Sequence, residues 1–236
     1  MKKTFALFVR EFQAYFFSPM AYVVLTTFLV ISGYFFSVIL AAIQEASLRY
    51  TLSNMAVTLL FISPLITMRL IAEERRSGTI ETLMTDPVRE VDVIAGKFLA
   101  AIFFYVMLLV PTFVYVAILR RVGNPDMGPL LSGYLGLVLM GSVFMSIGVL
   151  ASSLSKNQIV AGVISLVVLL FLWVVGWAGE VMPGRFAKLF SYLDMFGHFE
   201  PFQKGIIDTK DIIYYVTTTV LFLFLAVRVL EVRKWK

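Results

Sequence analysis

The chain has 236 residues, 60% of them hydrophobic and only 15% charged, against about 45–50% and 25% in an ordinary soluble domain. With a mean hydropathy of +0.90, this composition excludes a soluble globular domain and places the chain among membrane proteins. The net charge of +5 then reflects lysine and arginine gathered on one side of a bilayer rather than nucleic-acid binding.

In residues 1–18 the apolar side chains Phe5, Phe8, Val9, Phe12 and Phe16 recur at helical offsets, among Lys2, Lys3, Arg10, Glu11 and Gln13. This predicts an interfacial amphipathic helix along the membrane surface. Arg10-Glu11 cuts the apolar run too early for a signal peptide. Ser18-Pro19 turns the chain. Met20–Ile43 carries no charge over 24 residues, about 36 Å of helix against a core of about 30 Å, and is span one. Gln44–Ser53 is a short polar loop. Asn54–Met68 is span two, followed by Arg69, which can snorkel to the surface. Pro64 predicts a kink whose freed carbonyl is satisfied by neighbouring helices.

Phe98–Leu119 is span three, with Pro111 inside it, and Arg120–Asp126 is a turn-rich loop. Span four lies within Met127–Ser155. Gly133, Gly141, Gly148, Ser152 and Ser155 share about one helical face there, a surface for close packing against a neighbouring helix or across a dimer. A substrate path along that face is the alternative. Lys156-Asn157 makes a tight loop before span five, Gln158–Gly179. Residues 180–211 are too polar to span, yet Phe186, Leu189, Phe190 and Leu193 repeat at helical spacing, with Phe196, Phe199 and Phe202 following. They predict one or two short extracytoplasmic amphipathic helices. Ile212–Val227 is span six, and a basic tail follows.

The expected fold is therefore an all-α membrane protein, a single six-span domain over residues 1–236. Six spans place both termini on one side with the loop after span two. Arg49, Arg120, Arg121, Arg185, Lys188, Lys204 and Lys210 fall on the other side. The remaining thirteen of the 20 lysines and arginines share the side of the termini, which predicts cytoplasmic termini.

Little chemistry is available. Absence of cysteine excludes disulfides, thiolate metal sites and cysteine nucleophiles, and the one histidine, His198, excludes a site with two imidazoles. Val91–Phe98 lacks the first glycine of a P-loop and has Phe98 where Ser or Thr should hold magnesium. The chain is thus not expected to be an enzyme. No ionisable residue sits at the centre of any span, which argues against an ion-coupled carrier. Glu180, Asp194, His198, Glu200, Asp208 and Asp211 are lone groups of the kind that usually face water. Met195 and His198 are too few ligands for a metal site.

One stretch stands apart. From Glu73 to Lys97, ten of 25 residues are charged, with both signs mixed, between two runs of membrane grade. Each charge at the bilayer centre costs about 2.5–3.5 kcal/mol, so this loop belongs in water. Ser77-Gly78 breaks the extension of span two. Thr79 can cap a short helix, Thr79–Met84, presenting Ile80, Leu83 and Met84, and Asp86-Pro87 ends it. A solvated connector is the plain alternative; a contact with a soluble partner is the functional one.

Ala72-Glu-Glu-Arg-Arg-Ser-Gly-Thr-Ile-Glu-Thr-Leu-Met-Thr-Asp-Pro-Val88, followed by Ile94-Ala-Gly-Lys-Phe-Leu-Ala100, resembles the region between spans two and three of ABC-2-type transporter permeases. The matching positions are Glu73 and Glu74, Gly78-Thr79, Glu81, Asp86-Pro87 and Gly96-Lys97. Ser18-Pro-Met-Ala-Tyr22 and His198–Asp211 resemble gliding-motility-type and nitrous-oxide-reductase-maturation-type permeases.

The resemblance implies a permease subunit in a bacterial-type inner membrane, paired with a second copy or a related chain and working as an exporter. It implies docking of a cytoplasmic ATPase, which binds ATP and magnesium, through Glu73, Glu74, Arg75, Arg76, Gly78, Thr79, Ile80, Glu81, Leu83 and Met84. An auxiliary membrane protein with a large extracytoplasmic domain is a further implied partner. A non-transporting scaffold of a motility or maturation complex is the alternative.

Overall fold

The computed structural model describes residues 2–78, 89–181, 190 and 192–234. Among these residues every regular element is helical. In chain order they are α1 (Lys2–Phe16), α2 (Pro19–Ile43), α3 (Arg49–Thr67), the short α4 (Ala72–Ser77) and α5 (Glu90–Leu109). A 3₁₀ turn (Val110–Thr112) leads to α6 (Phe113–Val122), α7 (Met127–Leu154), α8 (Gln158–Val181), α9 (Glu200–Gln203) and α10 (Thr209–Lys234). Among the described residues, six stretches are long and apolar enough to cross a membrane: Pro19–Ile43, Arg49–Ser77, Glu90–Val122, Met127–Leu154, Gln158–Gly176 and Thr209–Val232.

The bundle is built around α7, against which α3, α5, α8, α9 and α10 all pack. Lipid is as apolar as leucine, so helices in it associate through close contact and hydrogen bonds rather than through the hydrophobic effect. Small residues allow that contact. Gly133 faces Leu52 of α3, Gly141 faces the ring of Tyr105 on α5, Gly148 faces Thr67 of α3, and Gly136 lies under Phe199 and Phe202. The glycine face of α7 is thus occupied by helices of the same chain. Hydroxyls add interhelical bonds. Tyr105 donates to the Leu137 carbonyl at 2.9 Å, and Ser132 donates to the Phe202 carbonyl at 2.6 Å.

The outer helices show the opposite face of the same logic. Val30, Tyr34 and Val38 on α2, Val163, Val167 and Phe171 on α8, and Val220, Leu221 and Phe224 on α10 all point outward and are exposed. In water such stripes would be aggregation sites; in hydrocarbon they are the ordinary surface.

Two helices start earlier than their apolar runs. α3 begins at Arg49, inside the stretch expected to be a polar loop. Its polar side chains bond back onto the helix, Asn54 Nδ2 to the Tyr50 carbonyl and Thr58 Oγ1 to the Asn54 carbonyl, so polarity here does not interrupt helical structure. α5 begins at Glu90 rather than near Phe98, with Glu90 and Asp92 in its first turn, where acidic groups favour the helix dipole.

The two prolines inside spans have different outcomes. Pro64 lies within α3, and its missing N–H frees the Leu60 carbonyl. Ser63 Oγ donates to that carbonyl at 3.1 Å, so the partner comes from the same helix and not from a neighbour. At Pro111 the helix instead tightens into the 3₁₀ turn that separates α5 from α6.

A Cβ at Gly141 would collide with the Tyr105 ring, whereas one at Gly162 would meet Met68 at ordinary distances of 3.5 and 3.6 Å. Gly141→Val should therefore lower thermal stability in detergent or lipid, by about 1–3 kcal/mol for an overpacked core. Gly162→Ala should leave the melting temperature unchanged or raised, since alanine is the better helix former.

Candidate functional site

Among the described residues, helix covers the two ends of the charged stretch after span two, Ala72–Ser77 on one side and Glu90 onward on the other. What the fold builds is its base, where α1, α3, α4, α5 and the end of α7 converge.

α1 runs alongside the first half of α5, in the same direction. Thr4 Oγ1 donates to Asp92 Oδ1 at 2.6 Å. Gly96 leaves room for Leu7 and the Thr4 carbonyl. Phe8 meets Phe103 edge-on at 5.0 Å, and Tyr15 stacks on Phe104 at 4.7 Å. The apolar stripe of α1 is therefore met in part by a protein helix. Phe5 and Phe17 remain exposed and available to lipid. Tyr15 also donates to the Ile66 carbonyl at 3.0 Å, and the Arg69 guanidinium lies 5.0 Å over its ring while bonding Ser18 at 2.6 Å. These contacts tie α1 to the end of α3.

At the centre sits Lys97, 1% exposed, with its Nζ 3.0 Å from Glu11 Oε1 and 2.9 Å from Glu74 Oε1. Arg10 Nη2 donates to the same two oxygens at 2.8 and 3.1 Å. Two carboxylates from α1 and α4 are thus bridged by two cations from α1 and α5. A buried ammonium is tolerable only when it is paired, and here the pairing joins three separate segments. Burial pushes the Glu11 carboxyl up, but the Lys97 charge and the hydrogen bonds from Arg10 and Lys97 outweigh it and hold the group below its ordinary value. Beside the cluster is a cavity of about 300 Å³ lined by Glu11, Tyr15, Arg69, Glu73, Glu74 and Lys97, among others.

α4 is fixed from its other side by α7. Ser152 Oγ accepts from the Ile71 and Ala72 backbone N–H groups, each at 3.0 Å, and donates to the Met68 carbonyl at 3.1 Å. One hydroxyl so satisfies unpaired backbone groups at the end of α3 and the start of α4. Arg75 Nη1 donates to the Ser153 carbonyl at 2.9 Å. Gly78 closes α4 in the left-handed conformation at φ 74°, a region that favours glycine.

The residues singled out by sequence therefore divide. Glu74 points into the ion cluster and Arg75 onto α7, while Glu73 and Arg76 face outward. Thr79, Ile80, Glu81, Leu83 and Met84 lie outside the described residues. Gly133, Gly141, Gly148 and Ser152 pack within the chain, and Ser152 also caps a helix. Sequence reasoning missed Arg10, Glu11, Tyr15 and Lys97 as parts of one site. The available signal was a lysine set among Ile94, Ala95, Phe98 and Leu99, which needs a carboxylate if it is helical and buried.

The chain matches the family model described as ABC-2 family transporter protein over residues 26–234. It belongs to that family. Curated proteins gave no match. As an ABC-2 chain it is a multi-pass membrane protein and a permease subunit of an ABC transporter, of a kind that typically works with a cytoplasmic ABC ATPase. The matched region begins after α1, so Glu74 and Lys97 lie inside it, whereas Arg10 and Glu11 lie before it.

Removing one side of a buried ion pair costs about 3–5 kcal/mol. Lys97→Met leaves Glu11 and Glu74 sharing the more exposed Arg10 and should cost up to an amount of that order in thermal unfolding. Glu11→Gln, which leaves Lys97 with Glu74, should cost less. Because the folded Glu11 value is depressed, its contribution is complete above the ordinary value of 4.5 and is lost as pH falls through the folded value. The melting-temperature gap between the natural chain and Glu11→Gln should close in that acidic window. A gap that persists there would show that packing, and not charge, carries the effect.

Proposed function

We propose that this ABC-2 permease is half of an exporter. Two six-span subunits, identical or related, form the path, and each docks a cytoplasmic ATPase through the loop that follows α4. ATP and magnesium belong to that partner. In this reading the chain's termini and loop are cytoplasmic, and Glu73, Arg76, Gly78, Thr79, Ile80, Glu81, Leu83 and Met84 supply the docking contact. Glu74, Arg75 and Lys97 hold its base.

The observation that carries the reading is that both ends of the loop belong to one body. The entering residues are held by α7 through Ser152 and Ser153 and by α1 through Glu74. On the leaving side Lys97 is held by Glu11 and Glu74. A push on the loop is therefore delivered to α3, α5 and α7 together instead of being absorbed in a slack connector. The gliding-motility-type or nitrous-oxide-reductase-maturation-type assignment is also proposed, supported by Ser18–Tyr22 and by the His198–Asp211 stretch, whose two ends meet at 2.6 Å.

The test begins with purification from native membranes, where an ABC ATPase should accompany the chain; its absence would sink the reading. In the reconstituted complex, Glu81→Lys with Thr79→Ala should leave insertion intact and uncouple ATP hydrolysis from transport. Full coupling in that double variant would count against loop docking.

A further inference from the structure

Among the described residues, Lys97 and Asp211 are the charged side chains classed as buried, each 1% exposed. Lys97 belongs to the loop base. Asp211 lies towards the opposite end of α7, where Ser132 and Gly136 meet Phe199 and Phe202. We infer that His198 and Asp211 together form a proton-binding site there, and that the bound proton fastens residues 192–205 to the start of α10.

The geometry requires the proton. His198 Nε2 lies 3.1 Å from the Tyr192 carbonyl, which can only accept, so Nε2 carries a hydrogen. Nδ1 lies 2.6 Å from Asp211 Oδ1. A neutral imidazole protonated on Nε2 has a lone pair on Nδ1, and an ionised carboxylate offers only lone pairs. Contact at this distance therefore holds one shared proton, whichever atom carries it. Asp211 Oδ2 is buried without a hydrogen-bond partner, so among the described residues His198 makes the carboxyl's only side-chain bond. Loss of the proton would leave one imidazole hydrogen for two acceptors, the buried Asp211 carboxylate and the Tyr192 carbonyl, so one of the two contacts goes unmade.

Among the described residues, the surroundings supply no competing charge. Tyr214 stacks on the imidazole at 4.0 Å, and Tyr192 meets it edge-on at 6.0 Å. The hydroxyls of Tyr214 and Tyr215 are spent on the Leu193 and Met195 carbonyls. Asp194 accepts from the Phe196 N–H, Glu200 pairs with Lys204 and Arg49, and Asp208 pairs with Lys210. α7 carries no Asp, Glu, His, Lys or Arg, and neither does α8 from Gln158 to Gly176. Among the described residues, the hydrogen bonds that tie the segment to α10 are those of Tyr214 and Tyr215 and the His198–Asp211 contact.

Two features of the sequence make the test clean: His198 is the sole histidine, and there is no cysteine. The full chain in lipid nanodiscs, labelled with ¹⁵N-histidine, reports the proton directly. A second sample with Met195→Cys, a buried position, reports opening of the segment through its maleimide labelling rate relative to exposed Lys204→Cys. On raising the pH from mildly acidic to alkaline, the His198 signals should move and the labelling ratio should rise by about tenfold or more over the same range. Asp211→Asn replaces the shared proton by an amide hydrogen that neutral Nδ1 accepts, so its labelling ratio should stay flat. A labelling profile identical in both chains, or His198 signals that stay fixed while labelling rises, would overturn the proposal.

Discussion

Everything in this bundle depends on how closely other helices can approach α7. In hydrocarbon no water is released when two apolar helices meet, so cohesion falls to dispersion and to hydrogen bonds that backbone or hydroxyl groups can make at short range. α7 serves both needs with glycines along its length and serines near its ends. Ser132 reaches the backbone of α9 and Ser152 reaches the junction of α3 and α4. The helix therefore acts as a common reference for the loop base at one end and for residues 199–202 at the other.

The two buried charges follow the same geometry. A charged group shielded from water must bring its counter-charge with it, and each does so from a remote part of the sequence. Lys97 draws in α1 and α4; Asp211 draws in the turn that carries His198. In both places the bond joins a peripheral segment to a membrane-spanning helix that lines the hub. The difference lies in redundancy. The Lys97 cluster has two cations and two carboxylates, so it keeps partial pairing when one contact is lost, whereas among the described residues the Asp211 carboxyl has the His198 side chain alone.

The membrane class and the six spans were legible because long uncharged runs leave few alternatives. Helix boundaries were less legible. At Arg49–Ser53 polarity reads as loop, although side chains that bond their own helix are compatible with either state. At Glu90–Lys97 charge reads as solvent, although one lysine in that stretch is buried and the acidic residues sit in the first turn of a helix. The small residues of α7 were visible as a face, but sequence could not say which partner fills it; Tyr105, Leu52 and Thr67 do so from the same chain. The ion cluster was illegible for a different reason. Arg10, Glu11, Glu74 and Lys97 come from three helices, and no local pattern announces a pairing that only tertiary packing creates. The expected helix at Thr79–Met84 and most of the repeat at Phe186–Leu193 lie outside the described residues.

The serine beside Pro64 has a mechanical meaning. A proline in a membrane helix ordinarily leaves a carbonyl that some neighbour must answer, and the helix is then bound at that level to whatever answers it. Here Ser63 answers from within. α3 is consequently a self-contained rod between Arg49 and Thr67, free of any obligatory polar tether at its proline, and can slide or tilt against α2 without stranding a backbone group in lipid. Its polar contacts lie at its ends: Tyr15 holds the Ile66 carbonyl and Ser152 that of Met68 at one, and Arg49 pairs with Glu200 at the other. Motion imposed at the Ile66 end would travel along the rod to its other end, beside Glu200 and Leu130, without needing a hinge.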